Sequence, residues 1–410
     1  MALRGGGSAL PGLVMEKIDP DFVRRTLATL PHGVVVISGT NGKTTTTKMV
    51  VELLESQGLR VFTNRTGSNF VRGVAAALLG EIDAKGMVAA DIAVLELDEA
   101  HAVHFVRAVH PRYSLLLNVM RDQLDRFGEI DTTAAMLHHV AEATSEKVVI
   151  NREDPRLLTL GADLPAEKVV YFGLNSQLRS HFPSDDTLRS VGNDNAKPHA
   201  RSPHAHAVLE KLSGQSATFT LGRKTLHATL KLDGIYNIFN AAAALGLVSA
   251  IVGDKLNLTA LQKKLETITP AFGRGEILTV NGQPCELVLV KNPGGFRLGL
   301  QSFNPHGYST MIAINDNYAD GRDMSWLWDV EFDSLRTEGV AMVSGVRAYD
   351  MALRLQYDEV EIAAVEPGLA KALKHFLRHD TRPKRIYCTY TAMLTLRREL
   401  GKITDVEVVR

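Results

Sequence analysis

The stretch Gly33-Val34-Val35-Val36-Ile37-Ser38-Gly39-Thr40-Asn41-Gly42-Lys43-Thr44-Thr45-Thr46-Thr47 decides the fold. The short apolar run Gly33–Ser38 ends in a glycine loop, the pattern of a buried parallel strand that feeds a helix. The spacing predicts that helix from Lys43 to Gln57, with Gly58 as its C-terminal stop. Phosphates bind in such a loop, because backbone N–H groups and the positive end of the helix dipole converge there. Gly39 and Gly42 let the backbone approach a phosphate chain, and Thr40, Asn41 and Thr45 complete the cradle. Lys43 neutralises the β- and γ-phosphates, and the Thr44 hydroxyl holds Mg²⁺. The spacing is Gly-x-x-Gly-Lys-Thr, shorter than the commoner phosphate loop, whose first glycine would fall at Ile37. A glycine-capped helix start without a ligand explains the glycines alone. It does not explain a strand, two glycines, a lysine and a threonine arriving together.

Outward from the loop, Leu59–Thr63, Ile92–Leu97, Tyr113–Asn118 and Lys147–Ile150 read as further strands with helical segments between most of them. Strands alternating with helices imply a parallel sheet covered on both faces. The pattern breaks after Tyr171-Phe172-Gly173, and residues 174–206 read as a long polar loop or insertion. A hairpin around Gly222-Arg223 pairs Ala217–Leu221 with His227–Leu232, a helix begins near Asn237, and residues 255–266 form another. From about Pro270 a second α/β unit begins, with strands at Glu286–Val290, Thr310–Asn315, Val340–Ser344, Glu359–Ala363 and Arg385–Thr389 and helices near 348–356, 367–378 and 391–399. The fold class is therefore α/β. Residues 1–269 form a nucleotide-loop domain with an insertion at about 174–230, and residues 270–410 form a second, Rossmann-like α/β domain.

The 410-residue chain is 45% hydrophobic, ample for two cored domains, and its 46 basic and 46 acidic residues leave no net charge. Nucleic acid is not expected as a partner, since its binders carry a clearly basic domain. Cys285 and Cys388 lie in no metal spacing, and the cytoplasm is the expected compartment. No apolar run approaching a membrane span stands out, nor does a signal core in Gly5-Gly6-Gly7-Ser8-Ala9-Leu10-Pro11-Gly12.

Glu96 and Glu99 close the strand 92–97, and Asn118, Asp122 and Asp125 follow the next one. Ligands of open α/β sheets bind outside the carboxyl ends of strands, and a carboxylate there suits magnesium. The plainer readings are a solvated acidic strand end for the first pair and an Asx-type helix cap for the second group.

These segments together resemble the Mur ligase superfamily, whose members join a nitrogen nucleophile to a carboxylate through an acyl phosphate. Asn151-Arg152-Glu153-Asp154-Pro155 resembles the family's Asn-x-x-Asp-Pro segment. Gly234-Ile235-Tyr236-Asn237-Ile238-Phe239-Asn240-Ala241 resembles its helix start near the adenine, and Pro270-Ala271-Phe272-Gly273-Arg274 its phosphate-approaching arginine. The resemblance implies ATP as cosubstrate, held by Gly39 through Thr45, Asn237, Asn240 and Arg274, with Mg²⁺ on Thr44 and Glu96 and Lys43 catalytic. The implied fold is a Mur-ligase-type ATPase domain followed by a second α/β domain.

The second half narrows the resemblance. Val290-Lys291-Asn292-Pro293-Gly294-Gly295-Phe296 stands where ordinary members carry Asp-Tyr-Ala-His-x-Pro. It is followed by Asn315-Asp316-Asn317-Tyr318-Ala319-Asp320-Gly321-Arg322-Asp323 and by Ser344-Gly345-Val346-Arg347-Ala348-Tyr349-Asp350-Met351-Ala352-Leu353-Arg354-Leu355. With the N-terminal glycines, this combination closely resembles the MurT family, the synthetase subunits of lipid II isoglutaminyl synthase. That family pairs with a separate glutaminase, GatD, and amidates the α-carboxylate of D-glutamate in the peptidoglycan stem. The resemblance implies a heterodimer with a GatD-type subunit, lipid II as substrate at the inner membrane face, and Asp350 as third member of the partner's Cys-His triad. The plainer reading of Asp350 is a helix-start aspartate that suits the dipole.

Two departures stand out. MurT chains commonly carry a four-cysteine zinc ribbon in the insertion, which here has no cysteine, so no zinc is expected. His199, His204 and His206 lack a thiol or carboxylate partner in sequence. Ordinary Mur ligases also place a histidine where Gln123 stands, and a modified lysine on the next helix, where none occurs between Arg126 and Glu146. Alternative functions are a Mur-type ligase that adds a whole amino acid, like folylpolyglutamate synthase, or a non-catalytic ATP-binding scaffold for a glutaminase. The altered second-half segments weigh against the first, and Lys43, Thr44 and Glu96 against the second.

Overall fold

The computed structural model describes residues 10–64, 70–120, 130–182, 203–232, 234–269 and 274–406. Strands β1 (Val34–Ser38), β2 (Val61–Thr63), β3 (Ile92–Glu96), β4 (Tyr113–Leu116), β5 (Lys147–Asn151), β6 (Val169–Leu174), β7 (Ala207–Ser213), β8 (Ser216–Leu221) and β9 (Lys224–Thr229) form one sheet. Its order is β2-β3-β1-β4-β5-β6-β7-β8-β9. The pairings from β2 to β7 are parallel, and β7, β8 and β9 close it as an antiparallel meander.

The period-2 geometry of a strand explains why β1 is apolar from Val34 to Ile37. Val35 and Ile37 point into one core with Met49, Leu53 and Ala241, while Val34 and Val36 point into the opposite core with Phe105, Leu137 and Val140. Helices Lys43–Ser56 and Ile235–Val252 cover the first face, and Glu99–Ala108 and Ile130–Ala143 the second. Ile235–Val252 is long and apolar enough by composition to cross a membrane, contrary to the sequence reading, but it is mostly buried within the fold. Its small residues let it lie close to the sheet: a Cβ on Gly246 would sit 3.1 Å from the Ala207 Cβ.

The second sheet contains β10 (Arg274–Val280), β11 (Gln283–Leu289), β12 (Ser309–Ala313), β13 (Met342–Ser344), β14 (Val365–Glu366) and β15 (Lys384–Cys388). They run in the order β10-β11-β15-β12-β13-β14. The β10–β11 pair is an antiparallel hairpin, turned by Asn281 and Gly282 with φ of 52° and 76°, as a two-residue primed turn requires. The remaining pairings are parallel.

Three expectations shift. The strand expected at Glu359–Ala363 shrinks to one bridge, Val340 to Ile362, and the edge strand is β14 instead. Glu359 adopts φ of 58° as it closes the helix Ala348–Tyr357, which delays the strand. Strands β6, β7 and β10 lie where no strand was expected. Of the expected insertion, residues 176–181 form a 3₁₀ helix, and residues 183–202, including His199, lie outside the described residues.

Candidate active site

The phosphate loop leaves β1 through Gly39 at φ 130° and enters its helix through Gly42 at φ 89°, conformations that favour glycine. Space requires the same residue. A Cβ on Gly39 would approach the Asn118 backbone to 3.0 Å, and one on Gly42 would come within 2.8 Å of the Asn240 amide nitrogen.

The chain beyond β4 straps this loop in place. Thr40 N–H donates to the Asn118 carbonyl at 3.0 Å. Met120 N–H donates to the Thr40 hydroxyl at 3.0 Å. The Asn118 side chain clasps Asn41 on both sides, accepting from its N–H and donating to its carbonyl, each at 2.9 Å. Asn118 therefore braces the loop rather than capping a helix. Asp122, Gln123 and Asp125 lie outside the described residues.

The Asn-x-x-Asp-Pro segment supports that brace from behind. Asn151 donates to the Leu117 carbonyl at 2.9 Å, and Asp154 accepts from Val119 N–H at 2.6 Å. The same carboxylate accepts from Arg156 and Leu157 N–H to cap the helix Pro155–Ala162. Burial pushes the Asp154 carboxyl up to about 6, although its three backbone donors pull the other way. In this structure the motif braces the Leu117–Met120 segment.

Lys43 is only 4% exposed. Its ammonium donates to the Gly39 carbonyl at 2.7 Å and pairs with Asp98 at 3.1 Å and Glu99 at 3.4 Å. Glu99 is thus paired with the lysine in this structure. Asp98 was missed in the sequence, although it sits in the same acidic strand end. Burial alone would raise the Asp98 carboxyl, but Lys43 and Lys291 outweigh it and hold it at about 2. A carboxylate depressed in the folded state adds stability above its unfolded value of roughly 4, and loses it as pH falls toward 2. Melting temperature measured from pH 7 to 2 is expected to fall more steeply in the native chain than in Lys43→Ala across that acid window. Equal slopes would remove the ion pair from the account.

Thr44 donates to the Glu96 carboxylate at 2.8 Å, and Glu96 is only 5% exposed. Asn64 fixes that glutamate from the next strand, exchanging hydrogen bonds with its backbone at 3.0 and 2.8 Å. Among the described residues no group of three or more His, Cys, Asp or Glu side chains gathers to hold a metal ion. Magnesium needs no such cage, because it keeps waters and takes phosphate oxygens with one or two protein oxygens. The adjacent hard oxygens of Thr44 and Glu96 fit that requirement.

The loop faces a cleft between the two sheets. Asn237, Asn240 and Thr45 line it from the first half, Lys291, Gly295 and Phe303 from the second. Asn41 and the fully buried Asn292 exchange amide contacts at 3.3 and 3.5 Å across the gap, and Asn292 also caps Gly295 N–H at 2.6 Å. The second half thus touches the phosphate loop through a helix N-terminus, Pro293–Ser302. Arg274 opens β10 at the edge of this cleft, but its side chain lies outside the described set.

Asp350 lies elsewhere, in the first turn of the helix Ala348–Tyr357, beyond the carboxyl end of β13. The N-cap residue is Arg347, not Asp350, and one Asp350 oxygen accepts from the Arg347 side chain at 3.2 Å. Met351 and Leu355 face the core, as expected. Around Asp350 the outer face is apolar: Val346, Tyr349, Leu353 and Tyr357 are 63%, 69%, 47% and 70% exposed. Trp328 extends the stripe, its ring meeting Tyr357 edge-on at 5.1 Å.

The order of the elements now meets known proteins. Residues 37–248 match the family model described as Mur ligase middle domain, and residues 289–393 match MurT ligase C-terminal. A subunit MurT of lipid II isoglutaminyl synthase from Streptococcus pneumoniae is 30% identical, over 97% of this chain and 93% of that protein. This chain belongs to the MurT family. The corresponding subunit from Staphylococcus aureus is also 30% identical, over 89% of this chain and 86% of its own length. As a MurT-family chain it is a Mur-type, ATP-dependent ligase.

Solved structures repeat the architecture. A pseudomurein peptide ligase type C from Methanothermus fervidus superposes with a TM-score of 0.71 at 17% identity, covering 94% of this chain and 81% of its own. The MurF ligase of Thermotoga maritima, solved with ADP, gives 0.68 at 17% identity, over 94% of this chain and 84% of its own. At such identity these share the fold. The α/β reading, with a second sheet after the nucleotide-loop unit, is therefore correct.

Proposed function

We propose that this chain amidates the α-carboxylate of the D-glutamate residue in the stem peptide of lipid II, with ammonia delivered by a GatD-type glutaminase subunit. The substrate carboxylate attacks the γ-phosphorus of ATP, the bond to the β–γ bridging oxygen breaks, and ADP leaves. Ammonia then attacks the acyl carbon, the acyl–oxygen bond to phosphate breaks, and the proton lost from nitrogen leaves on the inorganic phosphate, giving the amide. Two anions meet in the first step, so the protein's task is to position and neutralise charge. Lys43, already desolvated between Asp98 and Glu99, supplies one cation at the phosphates, and Arg274 is assigned as another. Mg²⁺ on Thr44 and Glu96 would supply Lewis-acid neutralisation of the phosphate oxygens. Asn237 and Asn240 are assigned to the nucleotide side of the cleft. In this reading the labour divides near residue 270, the reaction is cytoplasmic, and substrate is reached at the inner membrane face.

The observation that carries the two-subunit reading is Asp350, half exposed inside a stripe of exposed apolar side chains on the second half. Neither cysteine supplies a nucleophile within the chain. Both are buried in the second sheet, where burial pushes the Cys285 thiol up to about 12 and the Cys388 thiol higher still. Leu353→Asp is expected to weaken binding of the glutaminase subunit by about 10²-fold or more, since a charge in a desolvated apolar contact costs several kcal/mol. Ammonium-driven amidation should persist. Titration calorimetry with the purified partner gives the answer, and an unchanged Kd would move the docking face elsewhere.

A further inference from the structure

The turn that carries Asp350 is pinned from the neighbouring strand end. Gly345 has φ of 93°, and a Cβ there would lie 2.2 Å from the Ile314 carbonyl oxygen, so the chain after β13 passes directly against the chain after β12. Val346 N–H donates to the Asn315 side chain at 3.1 Å, and Arg347 N–H to the Ile314 carbonyl at 3.0 Å. Asn315 is anchored in turn by the hydroxyls of Thr389 and Thr391, at 2.9 and 3.0 Å, beyond β15. The Arg347 side chain then spans two carboxylates. Its Nε donates to Asp316 at 2.8 Å and its Nη1 to Asp350 at 3.2 Å, both through an Oδ2.

We infer that Arg347 is a positioning residue for the partner's glutaminase site: anchored by Asp316, it holds one oxygen of Asp350 so that the other is presented outward to the partner's histidine. This rests on the proposed role of Asp350. A three-residue ion pair on a helix surface is usually worth little, because both side chains are free to wander. Here the guanidinium is fixed at its other end by Asp316, which comes from another strand end. A planar fork bound at two points sets the relative direction of both carboxylates in a way a lysine ammonium does not. An orienting carboxylate works through one oxygen on the imidazole, so a bond to the second oxygen restricts its rotation without occupying the working atom. The residues Asn315-Asp316-Asn317 and Ser344-Gly345-Val346-Arg347 thereby acquire a shared purpose that the nucleotide site does not give them.

The experiment uses the heterodimer with its glutaminase subunit and compares Arg347→Gln, Arg347→Lys, Asp350→Asn and the double variant Arg347→Gln/Asp350→Asn. Each is assayed for glutamine hydrolysis, ammonium-driven amidation and subunit affinity. Arg347→Gln is expected to lower kcat for glutamine hydrolysis by about 10- to 100-fold, the usual cost of losing a group that orients an active side chain. The KM for glutamine, the subunit Kd and ammonium-driven amidation should stay unchanged. Arg347→Lys should recover only part of the loss. In the Asp350→Asn background, Arg347→Gln should cost nothing further, because both act through the same carboxylate. A full additional loss in the double variant, an unchanged kcat, or a weakened subunit Kd would each overturn the positioning role while leaving Asp350 in place. Undiminished glutamine hydrolysis in Asp350→Asn would instead overturn the role of Asp350, and this inference with it.

Discussion

Lys43→Ala is expected to reduce amidation by about 10³-fold or more, whether nitrogen comes from ammonium or from glutamine. Removing one preorganised charge partner from a desolvated site costs roughly 10²–10³ in kcat, and Lys43 neutralises more than one oxygen. Its burial at 4% exposure means that solvent does not dilute the effect. The substitution also leaves Asp98 and the buried Glu99 side by side without their shared cation. Breaking one partner of a buried pair destabilises by about 3–5 kcal/mol, so a lower melting temperature should accompany the loss. Circular dichroism must show a folded chain at the assay temperature. Near-normal turnover in that folded variant would remove the phosphate-loop assignment.

Asp350→Asn is expected to act on the other half-reaction alone. With the partner subunit present, glutamine hydrolysis should fall by up to ~10⁴-fold, as when the orienting carboxylate is lost from other triads. Ammonium-driven amidation should continue, because the ATP cleft is lined by other residues. A cap residue would behave differently, losing about 0.5–2 kcal/mol of stability and no activity. The N-cap position itself is held by Arg347, and Asp350 stands three residues further on. Survival of both activities, or the joint loss of both, would end the shared-triad assignment.

Much of the first sheet was legible because its central strands are buried on both faces and therefore apolar up to their carboxyl ends, as in Val34–Ser38 and Ile92–Glu96. The meander β7–β9 was half legible: β8 and β9 alternate cleanly, but β7 follows a polar, histidine-rich stretch that hid its start. The edge strand β14 is two residues long and carries no periodic signal. The placement of Lys43, Thr44 and Glu96 around the loop was readable because each occupies a fixed place relative to a strand end. Asp98 and Asn64 were not, since their roles depend on which neighbouring strand lies beside β3. Asn41 was expected to cradle phosphate. Its backbone N–H is taken by the Asn118 side chain, and its own side chain reaches Asn292, 251 residues away in sequence. Contacts between the two halves of a chain leave no local pattern, so the cleft itself had to come from the structure.

The most direct measurement is the mass of the lipid II product. The purified chain is incubated with lipid II, Mg·ATP and ammonium, and in parallel with its glutaminase subunit and glutamine. The proposed activity predicts the small mass decrease of a carboxyl-to-amide exchange in both reactions, with one ADP released per amide. Fragmentation should place the change on the α-carboxylate of the D-glutamate residue. A product heavier by a whole amino-acid residue, or ATP turnover that leaves lipid II unchanged, would contradict it.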